Sequence, residues 1–167
     1  GFDGCGWEIA SINFYCKGNS IQNLWAELRR VASPSITKQT SLITTDQPNK
    51  VFTVPVGRYI SSISTGYIFD GDTQFASQLS IKLNDGTSKD LTCSQAEVFV
   101  KTEVSPRQRV DGMQMVIDKK GRFSFIDFHL HEIFKKSNGR SLRRIITKAK
   151  DKKSKGNKKE KQYIDYL

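Results

Sequence analysis

The sequence predicts an all-β fold, and two observations carry that prediction. About ten to twelve short segments rich in β-branched, aromatic and alternating apolar residues follow one another before position 135. Turn signals separate them roughly every 8 to 12 residues, a spacing typical of β-sandwiches, barrels and prisms. No apolar run approaches the roughly 20 residues that a membrane-spanning helix needs, which excludes a protein of that class.

The first two strands are predicted to form a hairpin. Trp7–Tyr15 alternates between apolar and polar residues, but the alternation slips by one position between Ile9 and Ile12, which indicates a β-bulge. The next segment, Ile21–Leu28, fits either a helix or a strand. The turn signal Gly18-Asn19 in front of it favours the strand.

The remaining strands are predicted from the same alternation. Gly66–Gln74, which contains Asp70-Gly71-Asp72, is predicted to be a turn-rich loop. Asn84-Asp85-Gly86 predicts a tight hairpin turn. The predicted strands are around Leu42–Thr45, then Val51–Val56, Arg58–Thr65, Phe75–Leu83, Thr87–Thr92, Glu97–Thr102, Met113–Asp118 and Phe123–Ile133.

An approximate internal repeat sharpens the fold class. Gln22–Leu28, Ser77–Leu83 and Asp111–Ile117 each place apolar residues at their third and seventh positions. Three weakly similar four-stranded units predict a β-prism of three Greek-key sheets with pseudo-threefold symmetry. Because the copies are unevenly spaced, by 55 and 34 residues, chance similarity among strands stays open as an alternative.

The middle of the chain resembles a known family. Gly57–Tyr67 (GRYISSISTGY) and Ser77–Gly86 (SQLSIKLNDG) are similar to the "GEYI-x-x-I-x-G-x-Y" and "SL-x-F-x-T-N-x-G" runs of the jacalin-related lectins. The stretch from Val110–Gly112 through Gly121–Leu130 resembles the closing strand of that family, and Gly4–Leu28 fits its opening Greek key. The resemblance would cover most of residues 1–134. It implies a β-prism fold and a carbohydrate-binding module with a glycan or glycoprotein as partner.

The same resemblance implies a set of binding residues, because the family holds sugars with an N-terminal glycine and a Gly-x-x-x-Asp loop. In this chain the loop would run from Gly121 to Asp127, two residues longer than the family pattern, so a retained fold with a lost sugar site also stays open. The implied ligand-binding residues are Gly1, Gly4, Gly121, Arg122, Phe123 and Asp127.

The net charge of +10 is concentrated near the C-terminus. Residues 1–134 contain 14 Lys and Arg against 14 Asp and Glu, whereas residues 135–161 contain 13 Lys and Arg against only Asp151 and Glu160. This change in charge predicts a boundary near position 134, with the prism domain over residues 1–134 and a basic extension over residues 135–167. A nucleic-acid partner is not favoured, because such a domain usually carries its basic stripe on the fold itself.

The extension predicts a second kind of partner. Ser141–Lys153 is predicted to form a short helix that Ser141 caps, and the rest to be disordered or ordered by a partner. An acidic protein surface or an anionic membrane fits this charge, and the alternative function is therefore a structural or assembly protein. The predicted contacts are Arg140, Arg143, Arg144, Lys148, Lys152, Lys153, Tyr163, Tyr166 and Leu167.

Catalytic and metal chemistry find little support in the sequence. No nucleophile or phosphate-binding motif occurs, so we expect neither an enzyme nor a cofactor. A metal site at His129 and His131, with Asp127, is a minor alternative to an ordinary strand pair.

The number of cysteines bears on whether the protein occupies a reducing or an oxidising compartment. Cys5, Cys16 and Cys93 are odd in number. Three free thiols in a reducing compartment are favoured, while a Cys5–Cys16 bridge and secretion stay open.

Overall fold

The computed structural model describes residues 6–40 and 47–133, together with the backbone of residues 164–165. No helix in these ranges is long and apolar enough to cross a membrane. The predictions of a strand at Leu42–Thr45 and of a helix at Ser141–Lys153 lie outside the described residues. The strands are β1 (Trp7–Lys17), β2 (Ser20–Arg30), β3 (Thr37–Gln39), β4 (Lys50–Thr53), β5 (Ile60–Asp70), β6 (Thr73–Leu83), β7 (Ser88–Thr92), β8 (Val98–Glu103), β9 (Gln108–Ile117), β10 (Phe123–Glu132) and β11 (Ile164–Asp165).

The strands form three antiparallel sheets. The first has the order β3-β2-β1-β4 and the second the matching order β7-β6-β5-β8, which is the Greek-key arrangement. The third has the order β10-β9-β11. The central hairpins contact one another in turn, so the three inner faces enclose one core. The predicted all-β prism of three sheets is confirmed.

Each central hairpin carries two bulges at matching positions. The extra residue of the first bulge is Ala10 on β1, Ser61 on β5 and Asp111 on β9. The first of these is the bulge that the slipped alternation predicts. The extra residue of the second bulge lies on the returning strand and is Gln22, Ser77 or Ser124.

These bulges define the internal repeat and correct one of its predicted copies. The residues before the first bulge are Ile9, Ile60 and Val110, which are spaced by 51 and 50 residues. Gln22–Leu28 and Ser77–Leu83 occupy equivalent strands, but Asp111–Ile117 lies on β9, which is equivalent to β1 and β5. The third copy is Ser124–Leu130, which has the same apolar third and seventh positions. With this copy the second spacing rises from 34 to 47 residues, so most of the unevenness came from a wrong third copy.

The prediction of a loop at Gly66–Gln74 is wrong. β5 continues to Asp70 and β6 begins at Thr73, so only a two-residue turn separates them, with Gly71 at φ +61°. Gly66 lies within β5, at a position where only a glycine fits. An added Cβ would collide with the Cβ of Ala96 and the ring of Phe99.

A disulfide joins the first two sheets. Cys16, at the end of β1, pairs with Cys93, just after β7, across a sequence separation of 77 residues. The expectation of three free thiols is therefore wrong, and a Cys5–Cys16 bridge is excluded because Cys16 is already paired. The pairing also removes the reason for favouring a reducing compartment, because structural disulfides are typical of oxidising ones.

Candidate functional site

The strands run from one end of the prism to the other, and the two ends differ. The hairpin end is the end that contains the turns of the three central hairpins. These turns are residues 17–20, 70–73 and 118–122. We name the plug end by Glu8, Tyr59 and Arg109, which precede the three equivalent residues Ile9, Ile60 and Val110.

The plug end is closed by its own side chains. Arg109 donates from Nε to Glu8 at 3.2 Å, and its guanidinium lies 3.8 Å from the centre of the Tyr59 ring. Arg29 donates from Nε to the other carboxylate oxygen of Glu8 at 2.8 Å. Because these ionic side chains are at most 10% exposed and partner one another, they fill the end of the core rather than offer it to a ligand.

Four of the five N–H groups of Arg29 are bonded within the fold at this end. Its Nη1 donates to the carbonyl of Val54 at 2.6 Å, and its Nη2 donates to the carbonyls of Pro55 and Arg58 at 3.0 and 3.1 Å. The connection between β4 and β5 is thereby fastened to β2. A buried guanidinium that is engaged in this way serves the fold rather than a ligand.

The hairpin end presents an ion-pair network at its surface. Arg122 donates from Nε to Asp118 at 2.8 Å and from Nη1 to Asp70 at 3.0 Å, and so joins the third and second turns. Its guanidinium lies 4.3 Å from the centre of the Phe75 ring. Lys120 reaches Asp70 from the solvent side at 3.6 Å.

Asp70 is the carboxylate of this network that faces solvent. Its side chain is 50% exposed. The hydrogen bond from Arg122, with the charge of Lys120, lowers the pKa of Asp70, so the carboxylate is ionised at neutral pH. An exposed, pre-oriented carboxylate can accept two hydrogen bonds from neighbouring hydroxyl groups of a ligand.

The implied ligand-binding residues that the structure describes lie in the third turn and on β10. Gly121 and Arg122 are in the third turn, and Gly121 has φ +79°. Phe123 is fully buried, so its ring belongs to the core and only its backbone remains for a ligand. Asp127 pairs with Gln114 in the middle of β10, about 13 Å of strand beyond Phe123. Gly1 and Gly4 lie outside the described residues.

The predicted tail contacts also lie outside the described residues. The backbone of β11 is the described part of that region. It pairs with β9, with Ile164 opposite Met115 and Asp165 opposite Gln114. This is the position that β4 and β8 hold in the other two sheets. The domain boundary and the role of the tail stay predictions.

The histidine pair meets a carboxylate other than the predicted one. Asp111, the bulge residue of β9, binds Nδ1 of His129 and, at 2.9 Å, Nδ1 of His131. No group of three or more His, Cys, Asp or Glu residues suited to hold a metal ion occurs in the described ranges.

The sequence points to Arg122 as a ligand-binding residue but not to Asp70, its partner at the hairpin end. Asp70 is predicted only as a turn residue, and it is one, because Thr73 donates to its carbonyl at 2.8 Å. The contact with Arg122, 52 positions away, carries no local signal. The 51-residue and 50-residue repeat could have found it, because it places the second and third turns at the same end.

Comparisons with known proteins agree on the architecture. A galactose-specific lectin from Artocarpus hirsuta, solved with methyl-α-D-galactose, superimposes with a TM-score of 0.56 at 14% identity over 74% of this chain and 91% of that one. Jacalin in complex with mellibiose gives 0.56 at 13% identity over 74% and 91%. The domain has the jacalin-like β-prism fold.

A third structure extends the agreement. The lectin MPA, complexed with the T-antigen disaccharide, superimposes on the prism with a TM-score of 0.55 at 17% identity, over 77% of this chain and 96% of that one. No protein-family model and no curated protein matches the sequence. The likeness to jacalin-related lectins is therefore one of fold, at an identity too low to transfer a binding site.

Proposed function

We propose that this jacalin-like prism is a non-enzymatic carbohydrate-binding module whose site lies at the hairpin end. The observation that carries the proposal is the exposed Asp70 carboxylate, which Arg122 and Lys120 orient between the second and third turns. The structures with the same fold include lectins solved with bound sugars, which supports a glycan as the ligand.

The chemistry of the hairpin end suits a sugar. A carboxylate accepts hydrogen bonds from vicinal hydroxyl groups, and the ammonium group of Lys120 can donate to a neighbouring oxygen. Phe69, which directly precedes Asp70, is 50% exposed and offers an apolar surface for the C–H groups of a ring. The plug end offers no such surface, because its charged groups are buried and paired.

The test is a glycan array with the full chain, followed by titration calorimetry with the best monosaccharide or disaccharide. Asp70→Asn keeps the size of the side chain but removes the charge that makes its hydrogen bonds strong. We expect it to weaken binding about tenfold or more, the range for a lost charged hydrogen bond. The matched control is Asp85→Asn, which alters an exposed Asp that pairs with Arg58 in the Asn84–Thr87 turn away from the hairpin end.

Each outcome decides one point. Absence of binding to every glycan on the array contradicts a carbohydrate-binding function. Binding that Asp70→Asn leaves intact contradicts the placement at the hairpin end. Binding that Asp85→Asn weakens equally shows that a general loss of charge, rather than the site, is responsible, and it too contradicts the placement.

An assembly role remains the second candidate, and the charge distribution favours it. The excess of Lys and Arg is confined to residues 135–161. Such a segment would hold the prism against an acidic protein or an anionic membrane, with an attachment that added salt weakens.

A further inference from the structure

The third sheet has one open strand position. In the first two sheets the third strand along the chain, β3 or β7, lies outside the second, and the fourth, β4 or β8, lies outside the first. In the third sheet β9, β10 and β11 take the first, second and fourth positions. Within residues 6–40, 47–133 and 164–165 no strand pairs with the outer side of β10, where the third would lie.

The backbone of β10 is directed toward this open position. Ile126 marks the direction, because its N–H donates to the Tyr67 hydroxyl at 3.0 Å and its carbonyl accepts from that hydroxyl at 3.4 Å. The N–H of Ile133 points the other way and donates to the chain just before β9 at 3.0 Å. Since the direction alternates along a strand, the N–H and C=O groups of Leu130 and Glu132 face the open side. This edge suits a strand as short as β3, which pairs with three residues of β2.

An apolar surface of β8 adjoins the same position. β4 and β7 meet at the corner between the first two sheets, and the equivalent corner lies between β8 and the outer side of β10. Val98 and Val100 pair with Tyr67 and Thr65, which are buried in the core, so the two valines point to the core-facing side of the sheet. They are nevertheless 43% and 51% exposed. A core-facing apolar surface left open in this way indicates an element that packs on it.

The connection between β10 and β11 has the length and the direction of that element. β10 ends at the plug end, whereas β11 comes from the hairpin end, because it runs antiparallel to β9 with Ile164 opposite Met115. The connection therefore leads from the plug end to the hairpin end, as a strand antiparallel to β10 would. Its 30 residues (134–163) compare with 19 (31–49) in the connection that holds β3 and 14 (84–97) in the one that holds β7.

One stretch of this connection is apolar enough to cover the surface. The apolar residues between positions 135 and 161 are Leu142, Ile145, Ile146 and Ala149, and the turn signal Asn138-Gly139 precedes them. Its sequence alone predicts a helix. An open strand edge beside exposed valines favours the extended form instead, because strand formation depends on context more than on intrinsic propensity.

We propose that residues 140–149 form the third strand of the third Greek key, docked along the outer edge of β10 with apolar side chains against Val98 and Val100. The occupant is this segment of the same chain because β10 and β11 fix its two ends on either side of the gap. Its charge also suits the edge: Oε2 of Glu132 is buried without a hydrogen-bond partner within the described residues, and the segment contains three arginines. The prism then extends to about position 149, and the basic residues beyond it are the ones left for an acidic partner.

Tryptic digestion of the full native chain tests the docking, because a protease cleaves segments that are locally unfolded. We expect cleavage after Arg143 and Arg144 to be about tenfold or more slower than cleavage after Lys155, which lies in the same tail beyond the strand. Replacing Ile145 and Ile146 together by Ser removes the apolar contact and should abolish the difference. The matched control replaces Lys158 and Lys159 together by Ser and should leave it unchanged.

Amide hydrogen exchange, followed by NMR, locates the docked segment. A strand on β10 bonds the outward N–H groups of Leu130 and Glu132, so we expect both to exchange about tenfold or more slowly in the wild type than in the variant with Ser at positions 145 and 146. The N–H of Ile133, which is bonded on the side of β9, is the internal control and should exchange equally in both. Urea unfolding of each variant shows whether the prism is intact.

The outcomes separate this docking from its alternatives. Slow cleavage after Arg143 and Arg144 together with slow exchange at Leu130 supports the proposal. Equal cleavage along the whole tail overturns it. Slow cleavage without a change at Leu130 in the variant overturns it as well, because the segment is then ordered elsewhere, for example as the helix. Protection that is lost on dilution assigns the strand to a second copy and overturns docking within one chain.

Discussion

The two ends of the prism use the same chemical groups in opposite ways. At the plug end one carboxylate, Glu8, lies between two arginines and all three are nearly inaccessible to water. At the hairpin end one arginine, Arg122, lies between two aspartates, of which Asp70 is half exposed. The first arrangement closes the core, and the second leaves a charged group facing a ligand.

The ends also differ in how they are fastened across sheets. The plug end joins the first and third sheets through the contact of Glu8 with Arg109. The hairpin end joins the first and second sheets through the Cys16–Cys93 disulfide. The partly exposed ion pair of Arg122 with Asp70 joins the second and third sheets at the same end and contributes little to stability, so the disulfide is the stronger of its two links.

The largest expected effect is loss of that covalent link. Replacing Cys16 and Cys93 together by Ser opens a loop of 77 residues, and the chain-entropy estimate for a loop of this length is about 4 kcal/mol in the free energy of unfolding. Urea unfolding under non-reducing conditions measures it. The matched control is the wild type with reductant, which should fall to the value of the double variant. A wild type insensitive to reductant would contradict the assignment of this bond as a structural fastening.

Removing the carboxylate at the plug end should come next. Glu8→Ala leaves two buried guanidinium groups without their counter-ion, which costs about 3 kcal/mol or more in systems of this kind. Urea unfolding at neutral pH gives the value. The control is Glu103→Ala, which removes an exposed partner of Lys101 and should change stability by less than about 1 kcal/mol. Equal effects of the two substitutions would contradict the description of Glu8 as a buried counter-ion that closes the plug end.

The smallest effect concerns Asp111, whose environment lies between those of Glu8 and Asp70. Burial raises the pKa of Asp111, but hydrogen bonds from His129 and His131 outweigh burial and lower it. A carboxyl with a lowered pKa stabilises the fold above its unfolded pKa of about 4, and that contribution is lost as the pH falls further. Asp111→Asn should therefore be less stable than the wild type at neutral pH and lose less stability on acidification.

Unfolding in urea at neutral pH and at several values below about pH 4 measures this difference. Asp90→Asn, on an exposed position of β7, is the control and should keep the acid dependence of the wild type. If Asp111→Asn retained that dependence too, the bridge to the two histidines would contribute nothing to acid stability.

The sequence predicted features that depend on neighbouring residues. The slipped alternation at Ile9 and Ile12 located a real bulge, because a bulge shifts which side chains face the core. Asn84-Asp85-Gly86 located a real turn, with Gly86 at φ +89°. By contrast, β3 consists of three exposed polar residues, so no apolar alternation marks it.

Features that depend on contacts between distant residues could not be predicted from the sequence. Gly66 looked like a loop residue, yet it is a strand glycine because Ala96 and Phe99 leave no room for a side chain. Cys16 and Cys93 carry no local sign that they are neighbours. Gly121 and Asp127, which the resemblance implies to lie in one loop, are separated along β10, so only one of them is in the third turn.

The disulfide between Cys16 and Cys93 has a consequence for the conditions in which such a module would act. It joins the first and second sheets at the hairpin end, where the exposed Asp70 lies. Disulfides persist in oxidising surroundings and are rare in reducing ones. We therefore expect the proposed site to keep its shape longest in oxidising surroundings, so that the redox state outside the molecule would set how long it stays able to bind.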